Sequence, residues 1–195
     1  MYRRFFKPLC DFIIGLFALP FLLLLTLILA PFYLIMDRGP IFYSGKRLGQ
    51  HGKLFPMYKF RSMKVNAPDI RLQDGCTYSG DDDPRVTKLG YFLRKTSLDE
   101  IPQFLNLLTG QMSLIGPRPD LPDDLERYTT EEKNILKVKP GITGYNQAIY
   151  RNSVDAKTKL SNDLYYVEHF SFTLDCKIIF WTIKSVLKST NINRR

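Results

Sequence analysis

The sequence predicts a mostly helical α/β protein with one small β-hairpin, carried at a membrane by its amino-terminal segment. Three observations lead there. The stretch Phe12–Met36 contains no charged side chain. Two apolar-aromatic runs, Ile41–Tyr43 and Leu54–Phe60, flank the glycine-rich basic segment SGKRLGQHGK. The later apolar runs are punctuated by proline and glycine, as helices and turns are.

The first element is a membrane helix. About 20 apolar residues cross a hydrocarbon core, so Phe12–Met36 is long enough to span. Pro20 and Pro31 interrupt it, and an interior proline removes a backbone hydrogen bond and kinks a helix. Arg3, Arg4 and Lys7 precede the stretch, and Arg38, Lys46, Arg47 and Lys53 follow it. Basic residues favour the cytoplasmic side, and here both ends are basic. A re-entrant helix that bends at Pro20 satisfies both ends, whereas a spanning helix satisfies one. Prolines are also common in ordinary spanning helices, so the residues alone leave both geometries open. Residues 1–38 form the membrane part of the expected organisation and residues 39–195 a single further domain.

The net charge of +9 calls for an anionic partner. The membrane stretch makes anionic lipid and phosphorylated substrates better partners than nucleic acid, which is not expected. Cys10, Cys76 and Cys176 are odd in number and widely spaced, which fits neither a metal motif nor a disulfide framework. A reducing cytoplasm accommodates them.

The hairpin turns around Gly49-Gln50-His51-Gly52. In YKFRSM, Lys59 and Arg61 alternate with Phe60, so both cations are expected on one strand face, as a phosphate-facing pair or a solvated basic strand. Residues 66–85 read as a polar loop, with Asp81 and Asp82 solvated and Asp83-Pro84-Arg85 in a proline-fixed turn. Thr96 or Ser97 is expected to cap a helix whose first turn holds Asp99, Glu100 and Pro102. Its core face is Leu105, Leu107 and Leu108, and Gly110 stops it. Adjacent acids point about 100° apart on a helix, so spacing alone does not make Asp99 and Glu100 a facing pair. In Gly116-Pro117-Arg118-Pro119, two prolines stiffen the backbone, so the guanidinium loses little entropy on forking onto a phosphate. Asp123–Lys139 reads as a polar helix. Lys139–Tyr145 reads as a tight glycine turn whose free N–H groups can approach an anion. Phe172–Lys188 reads as an amphipathic helix, lying in the membrane interface or packed on a core.

Several of these segments together resemble the bacterial sugar transferase family, the monotopic phosphoglycosyl transferases. The carriers are YKFRSM (58–63), DPRVTKLGYFLRKTSLDEIPQFLNLLTGQMSLIGPRP (83–119), PGITGY (140–145) and DLYYVEHFSFTLD (163–175). The size looks like that of the small members close to a minimal catalytic unit. The resemblance implies a re-entrant amino-terminal helix broken near Pro20, interfacial amphipathic helices and a small cytoplasmic catalytic domain at the bacterial inner membrane. It implies Mg²⁺-dependent transfer of a sugar-1-phosphate from a UDP-sugar to undecaprenyl phosphate with release of UMP, the first membrane step of glycan assembly. Downstream glycosyltransferases would be partners. The family's catalytic dyad falls on Asp99, the expected nucleophile, and Glu100, a supporting residue at the metal or in proton handling. The cations expected around the phosphates are Lys59, Arg61, Arg85, Arg94 and Arg118, with Gln103, Gly141 and Thr143 as further substrate-binding residues. Leu19 precedes Pro20 where the family often has serine, and Tyr145 stands where tryptophan is frequent. The alternative is a non-catalytic basic scaffold at the membrane.

Overall fold

Helix α1 runs from Lys7 to Phe32 and is extended at each end by a wide π turn, Tyr2–Phe6 and Tyr33–Asp37. These elements belong to a computed structural model that describes residues 1–71, 78, 80, 82–150 and 154–188. Cys76, Asp81 and parts of the polar loops around residues 66–82 and 145–155 lie outside the described residues. Tyr2–Asp37 is the one helical stretch among the described residues long and apolar enough to cross a membrane.

The helix runs unbroken through Pro20 and Pro31, which differs from the break expected at Pro20. A proline deletes one hydrogen bond, and the flanking bonds carry the helix across. One narrow stripe of α1 is buried: Lys7, Asp11 and Gly15 before Pro20, then Leu22, Leu25, Leu29 and Tyr33 after it. The spacing of three, four or seven residues keeps these on a single face. The remaining circumference exposes Phe12, Phe17, Leu23, Leu27 and other large apolar side chains.

Strands β1 (Phe42–Leu48) and β2 (Leu54–Phe60) form the expected hairpin, paired antiparallel with Gly45 opposite Met57. His51 and Gly52 take positive φ in the connection. Phe55, Met57 and Phe60 turn inward. After the loop, α2 (Lys88–Thr96) begins at Thr87, whose hydroxyl accepts the Gly90 N–H at 2.9 Å. Gly90 permits close packing here, since a Cβ at that position would lie 1.9 Å from the Ser62 carbonyl oxygen. Ser97 ends α2 in the left-handed region and leads into a 3₁₀ turn, Leu98–Gln103, then α3, Phe104–Leu108. The single capped helix expected from residue 96 is therefore two pieces. No side-chain cap opens the 3₁₀ turn.

A second sheet pairs β3 (Ser113–Ile115) in parallel with β4 (Gly141–Thr143). This corrects the reading of Lys139–Tyr145 as an open anion-binding turn. The Gly141 N–H donates to Pro117 and the Thr143 carbonyl accepts from Gly116, both at 2.9 Å. Between these strands, Pro122–Glu126 and Glu132–Lys137 are separate 3₁₀ turns instead of one helix. The Thr129 and Glu132 side chains bond each other's backbone N–H groups and reset the chain there. Helices α4 (Tyr145–Tyr150), α5 (Ala156–Glu168) and α6 (Phe172–Lys188) complete the fold.

The core places α1 beneath the dyad. Leu22, Leu25, Leu29, Tyr33, Phe60 and Leu93 form one cluster, with Leu98, Ile101 and Leu105 packed against it. Each buried leucine contributes about 2 kcal/mol by area removed from solvent. Lys7 Nζ pairs with the buried Asp175 of α6 at 2.8 Å, and Asp11 Oδ1 accepts the Leu114 N–H of β3 at 2.8 Å. Helix α6 buries Asp175 and Ile178 and exposes Phe172, Phe180, Ile183 and Leu187. One face thus packs inward while the other is apolar and uncovered.

Candidate active site

Asp99 and Glu100 lie on the 3₁₀ turn Leu98–Gln103. Leu98 and Ile101 flank them in sequence and pack on the α1 cluster, which fixes the turn over the apolar helix. The two acids have different surroundings. Glu100 Oε1 accepts from Lys59 Nζ at 2.8 Å and from Arg118 Nη2 at 3.0 Å. Burial alone would raise its proton affinity, but the Arg118 and Lys59 charges outweigh it and hold Glu100 ionised, well below the ordinary range. Asp99 is 7% exposed, and burial pushes its carboxyl up to about 6 despite Lys59 nearby. The pair therefore consists of one firmly anionic carboxylate and one whose charge is left partly uncompensated.

The expected site residues divide into those gathered here and those placed elsewhere. Lys59, Glu100 and Arg118 converge from β2, the 3₁₀ turn and the Gly116–Asp120 loop. Arg94 approaches from α2, where Nε donates to Ser62 Oγ at 3.0 Å. Its guanidinium is desolvated, which lowers its proton affinity, while Asp99 acts in the opposite sense. Gln103 is buried, and its Nε2 has no hydrogen-bond partner among the described residues. Residues three apart eclipse on a 3₁₀ turn, so Gln103 lies on the Glu100 side.

Arg61 does not share a face with Lys59. Strand β2 ends at Phe60, so the alternation stops before Arg61. Its guanidinium donates to the carbonyl of Pro40 at 2.7 Å and lies 5.3 Å from the centre of the Tyr33 ring. Tyr33 Oη in turn donates to the Arg61 carbonyl at 2.5 Å. Arg61 thus latches the end of the long apolar helix to the hairpin. Arg85 is held through Nε and Nη2 by both oxygens of Asp83, at 2.9 and 2.8 Å, and by the carbonyls of Pro68 and Tyr78. Gly141 is committed to the β3–β4 sheet, and Thr143 Oγ1 meets Thr182 Oγ1 at 2.7 Å.

Two cations that no motif singles out adjoin the cluster. Arg47, on β1, is desolvated and feels the like charge of Arg118, which both lower its proton affinity. Its one side-chain hydrogen bond among the described residues goes to the Lys46 carbonyl. Lys159 on α5 binds Asp120, two residues from Arg118, at 2.6 Å to Oδ2. The GKR composition and the PRPD sequence are the only signals for these contacts, since both arise from tertiary packing.

A helix long and apolar enough to cross a membrane thus packs beneath an acid pair that draws Lys59 and Arg118 onto Glu100. The family model for bacterial sugar transferases matches residues 2–189, and the chain belongs to that family. It is 40% identical, over 95% of its length, to an undecaprenyl-phosphate galactose phosphotransferase of Salmonella typhimurium. It is 36% identical over 94% of its length to an Aeromonas hydrophila protein named UDP-N-acetylgalactosamine-undecaprenyl-phosphate N-acetylgalactosaminephosphotransferase. The chain spans 40% and 44% of the lengths of those two relatives. It spans 85% of a sugar transferase, EpsL, of Bacillus subtilis, to which it is 42% identical over 89% of its own length.

Proposed function

We propose that the protein transfers a sugar-1-phosphate from a UDP-sugar to undecaprenyl phosphate at the cytoplasmic face of the bacterial inner membrane. The observation that carries this reading is the division of labour in the dyad. Glu100 is bonded to Lys59 and Arg118, while the neighbouring Asp99 is buried with no cation hydrogen-bonded to it among the described residues. An underneutralised carboxylate is a competent nucleophile, and a cation-bound one organises charge.

An Asp99 oxygen attacks the sugar-bearing phosphorus. The bond from that phosphorus to the bridging oxygen breaks, and UMP leaves with the electron pair. The product is an acyl phosphate joining Asp99 to the phosphosugar. A phosphate oxygen of the polyprenyl acceptor then attacks the same phosphorus and expels the Asp99 carboxylate. Arg94 and Arg118 offset the donor's negative charge, as phosphoryl transfer requires. Glu100, held ionised, keeps Lys59 and Arg118 in place and does not carry the proton.

The donor set suits Mg²⁺, a hard cation bound by one or two carboxylates together with substrate phosphates. Asp99 and Glu100 Oε2 would hold it, and it would supply further charge neutralisation at the pyrophosphate. Among the described residues no group of three or more acidic, His or Cys side chains is placed to hold a metal, so the substrate phosphates would have to complete the coordination.

The re-entrant reading of α1 is supported by its contacts on both sides of Pro20. Lys7 and Asp11 reach α6 and β3, and Leu22–Tyr33 reach β2, α2 and the dyad turn. A helix held to the globular body along this whole stripe keeps both of its ends on the side of that body.

The nucleotide product tests the function. Purified protein with undecaprenyl phosphate and a panel of UDP-sugars is expected to release UMP. Release of UDP would mean that only the sugar moves, and no nucleotide release would leave a scaffold.

A further inference from the structure

The loop that delivers Arg118 also contains an acid able to capture it. Asp120 stands two residues away, near enough for its charge to act on the Arg118 guanidinium. In a half-buried setting an arginine and a carboxylate this close pair readily. Arg118 instead donates to Glu100.

The contacts of Asp120 account for that choice. Its carbonyl accepts the Leu48 N–H at 2.9 Å, which ties the loop to the hairpin. Its carboxylate is engaged on both oxygens by Lys159 Nζ, and Tyr128 Oη donates to Oδ2. Lys159 is held from behind by Asp163, one helical turn along α5, at 3.6 Å. Asp163 is 1% exposed, and neither of its oxygens has a hydrogen-bond partner among the described residues. Burying Lys159 between two carboxyl groups gains little stability over an apolar cluster of the same volume. The cluster has a clearer use in setting the direction of the arginine.

We propose that Lys159 is a positioning residue: by occupying the Asp120 carboxylate it leaves the Arg118 guanidinium free to face Glu100 and the donor phosphates. This deepens the transferase reading and rests on it. Lys159 touches no reacting atom and acts through Asp120 on Arg118.

The test is a rescue measured by UMP release. Lys159→Met frees Asp120 to seize Arg118 and is expected to lower kcat/KM by about tenfold to a hundredfold, as misplacement of a substrate-positioning group does. Lys159→Arg is expected to retain most activity. In Lys159→Met/Asp120→Asn the competing carboxylate is gone, and kcat/KM is expected to recover to within about threefold of the parent. A merely structural ion pair would also be relieved by Asp120→Asn, but as a recovery of Tm and of the folded fraction; positioning requires the loss and the recovery to appear in the kcat/KM of folded enzyme. If Lys159→Met does not fold, Tyr128→Phe removes the second donor to Asp120, and its smaller loss is expected to be rescued by the same Asp120→Asn. A folded double variant no better than the single, or a Lys159→Met enzyme with parental kinetics, overturns the proposal while the transferase reading stands. A parent protein that releases no UMP overturns both.

Discussion

Replacing Asp99 with asparagine is expected to abolish turnover and to make the protein more stable. Burial raises the Asp99 carboxyl from its ordinary 3.8 to about 6, a change of about two pH units. Each unit corresponds to about 1.4 kcal/mol between protonation states, so the buried charge costs about 3 kcal/mol at pH 7.5. The sign follows from linkage. Above pH 6 the group is ionised both folded and unfolded, and the folded state bears the full cost. Below about pH 4 it is protonated in both, and the cost vanishes. The gain from Asp99→Asn should therefore be complete at pH 7.5, shrink as pH falls through 6 and disappear near 4. For a chain of this length, 3 kcal/mol corresponds to a rise in Tm on the order of 6–12 °C. Thermal unfolding in detergent with EDTA, followed by Trp181 fluorescence, reads it without metal. Loss of activity should be on the order of 10⁴-fold. A variant that unfolds earlier than the parent at pH 7.5 would refute the desolvated carboxylate. One that retains substantial turnover would refute the nucleophile.

Three further outcomes follow from the same contacts. Gly90→Ala forces a Cβ to 1.9 Å from the Ser62 carbonyl, so α2 must shift; a loss of more than about 2 kcal/mol in chemical denaturation is expected. Lys7→Met leaves the Asp175 carboxylate buried without its cation, and should cost about 3–5 kcal/mol, less whatever the Tyr2 and Tyr166 hydroxyls still supply. Arg47→Met removes a desolvated guanidinium that has no acidic partner among the described residues and feels the charge of Arg118. Its KM for the UDP-sugar should rise about tenfold with little change in Tm, and an unchanged KM would place Arg47 outside the donor site.

The hairpin and α6 were legible because each is decided locally, by a turn between apolar runs and by an amphipathic repeat. The acid pair was visible as residues, but its asymmetry was not. That asymmetry depends on Lys59, forty-one positions away, and Arg118, eighteen away, and no periodicity encodes such meetings. Arg61 shows the limit most clearly. Strand alternation put it beside Lys59, yet the strand stops one residue short, and the carbonyls of Asp37 and Pro40 take the guanidinium. Lys139–Tyr145 has the composition of an open turn and becomes a strand because Ser113–Ile115 arrives alongside it. A parallel partner is a long-range choice that the local sequence leaves open.

The dyad and the anchor are one mechanical unit. Leu98 and Ile101, on either side of the two acids, rest on Leu22, Leu25, Leu29 and Tyr33, so displacing the helix displaces the turn. Tyr33 and Arg61 lock the helix end to the strand that carries Lys59, and Thr87 Oγ1 donates to Asp37 Oδ2 at 2.7 Å where α2 begins. The Arg94 helix and the Lys59 strand are thereby referenced to the same end of α1. The proposed reaction needs this coupling, because the phosphate of a polyprenyl acceptor stays at the depth its prenyl chain dictates. In that reaction the nucleophile has to meet the acceptor at that depth, and packing the Asp99 turn on α1 ties the one to the other.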